Sequence, residues 1–128
     1  MDPQSLQRIL CVEDEPDIQA VARLALEQVG GFQVEVCSSG DEALVRAAAW
    51  VPDLILLDVM LPGMDGPETL RRLREQPDTR GIPVAFMTAR VQARELEHYR
   101  SLGAIGLLPK PFDPMTLADQ LRALWVEA

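Results

Sequence analysis

The chain has 128 residues, 48% apolar and 25% charged, with a formal net charge of −8. That balance suits one globular domain burying about two-thirds of its unfolded surface. It argues against non-specific nucleic-acid binding, which needs a basic surface to displace counterions. No apolar run nears the ~20 residues of a membrane-crossing helix. The N-terminus Met1-Asp2-Pro3-Gln4 has no basic-then-apolar signal character, so a cytoplasmic protein is expected. Cys11 and Cys37 both fall in apolar runs; two cysteines make no disulfide framework and are expected to be buried, reduced thiols.

Strand-like and helix-like segments alternate from end to end, which predicts β-α units around a parallel sheet. The first strand covers about Gln7 to Val12. Pro16 opens a helix at its first turn, and Ile18, Val21, Ala22, Ala25 and Val29 continue it to Gly30-Gly31. Phe32 to Cys37 alternates apolar and polar residues, as an edge strand does. Ser39 and Glu42 form a capping-box signature for a helix ending near Trp50. Leu54 to Leu57 has no polar alternation, so it is expected at the sheet centre, covered on both faces.

Leu61 to Gly66 is a turn-rich loop, and Pro67 starts a third helix running to about Gln76. A fourth strand is expected over Pro83 to Met87, and a fourth helix from about Val91 to Leu102. A fifth strand spans Ile105 to Leu108. Asp113-Pro114 is expected to cap the last helix, with Leu117, Leu121, Leu124 and Trp125 as its apolar stripe. One domain is expected to fill residues 1–128, with its core over about 6–126.

Glu13 and Asp14 follow the first strand, Asp58 the third, Thr88 the fourth and Lys110 the fifth. In an open parallel sheet these positions line the crevice beyond the carboxyl ends of the strands, where ligands bind. Three acids in one place repel unless a cation joins them, and a lysine beside them suits an anion carried on that cation. Magnesium takes oxygen ligands and pairs with phosphate, whereas zinc or copper would need His/Cys spacings that this chain lacks; His98 is its only histidine. Asp58 is the best candidate nucleophile, with Lys110 on the phosphoryl oxygens and the Thr88 hydroxyl on the same rim. Lys110 lies between Pro109 and Pro111, and a cis Lys110–Pro111 peptide is expected to turn the ammonium back into the cleft.

With these residues the chain resembles the receiver domains of two-component response regulators. The resemblance rests on Val12-Glu13-Asp14-Glu15, Pro52-Asp53-Leu54-Ile55-Leu56-Leu57-Asp58, Met60-Leu61-Pro62-Gly63-Met64-Asp65-Gly66, Met87-Thr88-Ala89 and Lys110-Pro111-Phe112, and covers about residues 6 to 126. It implies a flavodoxin-like three-layer fold with five parallel strands in the order 2-1-3-4-5. It also implies phosphoryl transfer to Asp58 from a phosphohistidine on a sensor kinase or a histidine phosphotransfer protein. Mg²⁺ would be held by Asp14, Asp58 and the main-chain carbonyl of Met60, with Glu13 acting largely through water. Lys110 would pair with the phosphoryl oxygens, and Thr88 would move toward them. The expected protein is a signalling switch with a downstream protein target, catalysing only its own phosphorylation and dephosphorylation.

One departure stands out. Leu107 occupies the fifth-strand position, three residues before the lysine, where such domains usually carry Tyr or Phe. An aspartyl-phosphate phosphatase of the haloacid dehalogenase type would need a second Asp two residues after the nucleophile, and that position is Met60. A non-phosphorylated interaction module would tolerate loss of the acids or the lysine, yet all are present. A stand-alone phosphoacceptor, its output a protein contact or onward phosphotransfer in a relay, is therefore the expectation. The receiver part of a longer protein is the alternative.

Overall fold

Five strands and five helices alternate along the chain in the computed structural model, which describes residues 1–128. The strands are β1 (Arg8–Val12), β2 (Gln33–Cys37), β3 (Leu54–Asp58), β4 (Val84–Thr88) and β5 (Gly106–Pro109). The helices are α1 (Pro16–Leu24), α2 (Gly40–Trp50), α3 (Gly66–Glu75), α4 (Ala93–Ser101) and α5 (Leu117–Glu127). All strand pairs are parallel, and the sheet order is β2-β1-β3-β4-β5. This is the flavodoxin-like arrangement, with β2 at an edge and β3 at the centre as the sequence predicts. No helix is long and apolar enough to cross a membrane.

Helices cover both faces of the sheet, so its inner strands can be apolar throughout. Every residue of β3 and β4 is buried. Alternate side chains divide between two cores of similar size. Ile9, Cys11, Leu56 and Met87 pack toward Leu26, Leu117, Leu121 and Trp125 of the α1–α5 layer. Leu10, Val12, Leu57 and Phe86 pack toward Ala43, Ala47, Leu70 and Leu73 of the α2–α3 layer. Each fully buried Leu or Ile contributes about 1.5–3 kcal/mol, so these two layers are the main stabilising term. The α4 helix contributes no fully buried residue.

Several ends differ from the sequence reading. The first helix changes to a wider π-type turn over Ala25–Val29, with Gly30 donating its N–H to the Ala25 carbonyl. The broader turn accompanies a close approach to α5, since a Cβ on Gly30 would sit 2.8 Å from that of Ala118. The α4 helix starts at Ala93 rather than Val91, because Arg90, Val91 and Gln92 include no good capping side chain; Gln92 makes no side-chain cap bond. Asp113 closes the turn that leads into α5 rather than sitting at its first position: its carboxylate accepts from Met115 N–H at 2.9 Å, its carbonyl accepts from Leu117 N–H at 3.0 Å, and α5 begins at Leu117. The Ser39 hydroxyl accepts from Glu42 N–H at 3.1 Å, while the returning Glu42 carboxylate takes Ser38 N–H rather than that of Ser39. A short 3-10 turn at Pro3–Ser5, absent from the sequence reading, lies against α5, where Trp125 donates its indole N–H to the Asp2 carbonyl at 2.9 Å.

Candidate functional site

Register brings the distant acids together. Val12 pairs with Leu57, so the next residue of each strand, Glu13 and Asp58, leaves the sheet side by side. Asp58 pairs with Met87 and Thr88 with Pro109, which sets Thr88 and then Lys110 on the same rim. Backbone bonds hold that rim: Glu13 N–H to Cys37 O at 2.9 Å, Val59 N–H to Met87 O at 3.0 Å and Lys110 N–H to Thr88 O at 2.9 Å. The Lys110–Pro111 peptide is cis, as expected.

At the centre the Lys110 ammonium donates to Glu13 Oε1 at 2.7 Å and to Asp58 Oδ2 at 3.0 Å. The other Asp58 oxygen accepts from Met60 N–H at 3.1 Å, and Glu13 Oε2 accepts from Glu15 N–H at 3.1 Å. Glu13 and Asp58 are buried, and Asp14 is partly exposed at the mouth. One oxygen from each of Glu13, Asp14 and Asp58 lies within 4.8 Å of the other two. Burial pushes the Glu13 carboxyl up from the usual carboxylate range, while its bond to Lys110 pulls it down; the upward effect is the larger. Burial also opposes the Lys110 charge, but its bonds to the two carboxylates outweigh this and hold the ammonium above its ordinary value. One lysine cannot balance three ionised acids.

Thr88 is buried at the end of β4, and its hydroxyl accepts from Arg90 N–H at 3.1 Å. Met60 presents a largely exposed side chain, so its part in the pocket is made by its backbone. Behind the pocket, Gly66 packs where a Cβ would meet Asp58 O at 2.5 Å and Val59 Cα at 2.8 Å. Glycine is thus required for the β3–α3 loop to fold back on the backbone of Asp58 and Val59. Every side chain singled out in the sequence therefore reaches one rim, with Met60 contributing through its main chain. Gln19, which the sequence reading missed, donates its amide to the Glu13 carbonyl and to Ser38 Oγ, tying α1 to the loops after β1 and β2. Only its place one turn after Pro16 signals that role.

An open parallel sheet carrying acids and a lysine at its carboxyl edge defines a binding domain of the doubly wound class. The family model described as the response regulator receiver domain matches residues 9–122, and the chain belongs to that family. The phosphate regulon transcriptional regulatory protein PhoB of Rhizobium meliloti is 39% identical over 119 residues, covering 93% of this chain and 52% of that protein. The response regulator PleD of Caulobacter vibrioides is 40% identical over 125 residues, covering 91% of this chain and 26% of that protein. The chain thus spans about half the length of PhoB and a quarter of PleD. Among solved structures, the chemotaxis response regulator CheY4 of Vibrio cholerae matches with a TM-score of 0.85 and 30% identity, covering 93% of this chain and 98% of that one.

Proposed function

We propose that this receiver domain accepts a phosphoryl group on Asp58 and passes the change to a protein partner. The observation that carries the reading is Lys110, whose ammonium touches both Glu13 and Asp58 across 97 and 52 residues of sequence. A structural ion pair needs one acid; three acids within 4.8 Å are costly without a cation. The all-oxygen donor set of Glu13, Asp14 and Asp58 fits Mg²⁺, with Asp14, Asp58 and the Met60 carbonyl as direct ligands and Glu13 through water. When bound, that ion would neutralise charge developing on the transferred phosphoryl group.

The chain's own groups have these roles. An Asp58 carboxylate oxygen bonds to phosphorus as the phosphorus–nitrogen bond of the donor phosphohistidine breaks, and the imidazole nitrogen leaves with the electron pair. Lys110 keeps its charge and shifts from the carboxylate to the new phosphoryl oxygens. The Thr88 hydroxyl donates to one of those oxygens from the rim. The protein is a switch that acts on itself rather than on metabolites, since Met60 supplies no acid/base where a phosphatase of small esters needs one. Its partners are a sensor histidine kinase or histidine phosphotransfer protein and a downstream protein, in the cytoplasm.

Incubation with Mg²⁺ and a small acyl phosphate, followed by intact mass, tests this. A gain of one phosphoryl group that vanishes in Asp58→Asn is expected. Equal gain in the variant would place the acceptor elsewhere.

A further inference from the structure

Tyr99 is the chain's single tyrosine and is one of the few partly buried residues of α4. Its ring centre lies 5.0 Å from that of Phe86, with the planes inclined by 54°. Phe86 and Thr88 are two residues apart on β4, so they face the same side of the sheet. Leu107 pairs with Phe86 in register and packs into the same core, where it presents no ring. Tyr99 is therefore the aromatic side chain that reaches the surroundings of Thr88. Together with Met60, Thr88, Arg90 and Glu95 it walls a cleft of about 500 Å³.

A second observation lies in that cleft. Glu95 Oε2 is buried with no hydrogen-bond partner, while its other oxygen sits 3.5 Å from Arg94 Nε. A buried acceptor without a donor is costly, and native structures seldom leave one without a reason. Glu95 and Tyr99 are four residues apart on α4, which places them on one face of the helix. The tyrosine hydroxyl is a donor of the kind Glu95 lacks.

We propose that Tyr99 is the positioning residue that links Thr88 to α4: as Thr88 turns toward a phosphorylated Asp58, the ring slides off Phe86 along the cleft and its hydroxyl donates to Glu95 Oε2. The resting Thr88 hydroxyl accepts from Arg90 N–H, so its departure also releases the chain leading into α4. The ring fills the space that this movement changes, and the new bond satisfies Glu95. Because the contact exists only in the activated arrangement, it favours that arrangement by linkage. This inference rests on the phosphoacceptor reading.

The test uses the full chain with beryllofluoride and Mg²⁺ as the phosphoryl probe. The ring resonances of the single tyrosine are expected to shift on saturation. Tyr99→Phe keeps the ring packing and is expected to bind the probe about 5-fold more weakly, the loss of one net hydrogen bond. Glu95→Ala should weaken binding similarly, and the double variant should be no weaker than either single one. Fixed ring resonances at saturation, unchanged affinity in Tyr99→Phe or additive effects would each overturn the proposal. Intact mass on the same protein separates the two ideas. Phosphorylation with an unmoved ring defeats this inference alone, whereas absence of phosphorylation at Asp58 defeats the reading beneath it.

Discussion

Lys110 directly follows the edge strand β5, which pairs with neither β1 nor β3, yet its side chain reaches residues at the ends of both. Replacing it with Ala leaves Glu13 and Asp58 facing each other without the charge between them, a loss that Mg²⁺ can partly offset. The fold should survive, because Lys110 belongs to neither apolar core. Phosphorylation by a small donor should slow by about 10²–10³-fold, as when one preorganised electrostatic contact is lost at a reacting centre. Initial rates of phosphate incorporation measure this, and a wild-type rate would remove Lys110 from the chemistry. The lysine and the three acids were legible in the sequence because they follow three apolar runs. Glu95 and Tyr99 were not, since an acid and an aromatic on a polar helix look like ordinary surface and core choices. Their nearness to Phe86 and Thr88 depends on how α4 lies against the sheet.

At the scale of an element, α3 begins directly behind Asp58. A Cβ at Gly66 would press on backbone atoms of Asp58 and Val59, which cannot swing aside as a side-chain tip can. Gly66→Ala should cost about 1–3 kcal/mol of stability and slow phosphorylation together, because the same shift moves the Asp58 backbone. Denaturant melts and mass-detected phosphorylation read the two effects. Further along the first turn, Glu68 bonds Arg71 and Arg72, which hold its carboxyl down at about 2 against an ordinary 4.5. A depressed folded value means the contribution is full above the ordinary value and fades as pH falls toward 2. The pair is solvent-exposed and the effect accordingly modest. The melting temperature of Glu68→Gln should thus fall less steeply than that of the wild type between pH 5 and 2.5; parallel curves would show that the pairs contribute nothing.

Element identity was read correctly from apolar spacing and from Pro16, Ser39 and Pro67, whereas ends were read less well. The π-type turn before Gly30 accompanies a close approach to α5, a long-range contact that local sequence does not encode. The start of α5 at Leu117 follows a turn that Asp113 closes with both its carboxylate and its carbonyl.

Across the whole molecule the sheet acts as a partition. Cys11 faces the α1–α5 layer and Cys37, one residue past its partner Val36 on β2, faces the α2–α3 layer, so the two sulfurs lie on opposite sides and form no disulfide. Burial, the leading cause for each, pushes both thiols up to about 12. Both should resist alkylation at pH 8 in the native state and react promptly in denaturant, as counted by mass. Rapid labelling of the folded chain would show that one of these strands opens readily.

The same alternation has a bearing on traffic through the domain. Phe86 and Thr88 face one side of β4, and Ala85 and Met87 the other, so a displacement at the threonine presses on helices of a single flank. Ala85 and Met87 pack into the opposite flank, which Phe86 and Thr88 do not touch directly. On the proposed reading, a donor protein that grips the other flank would not have to let go for the message to leave, and two such contact surfaces would be free to diversify independently.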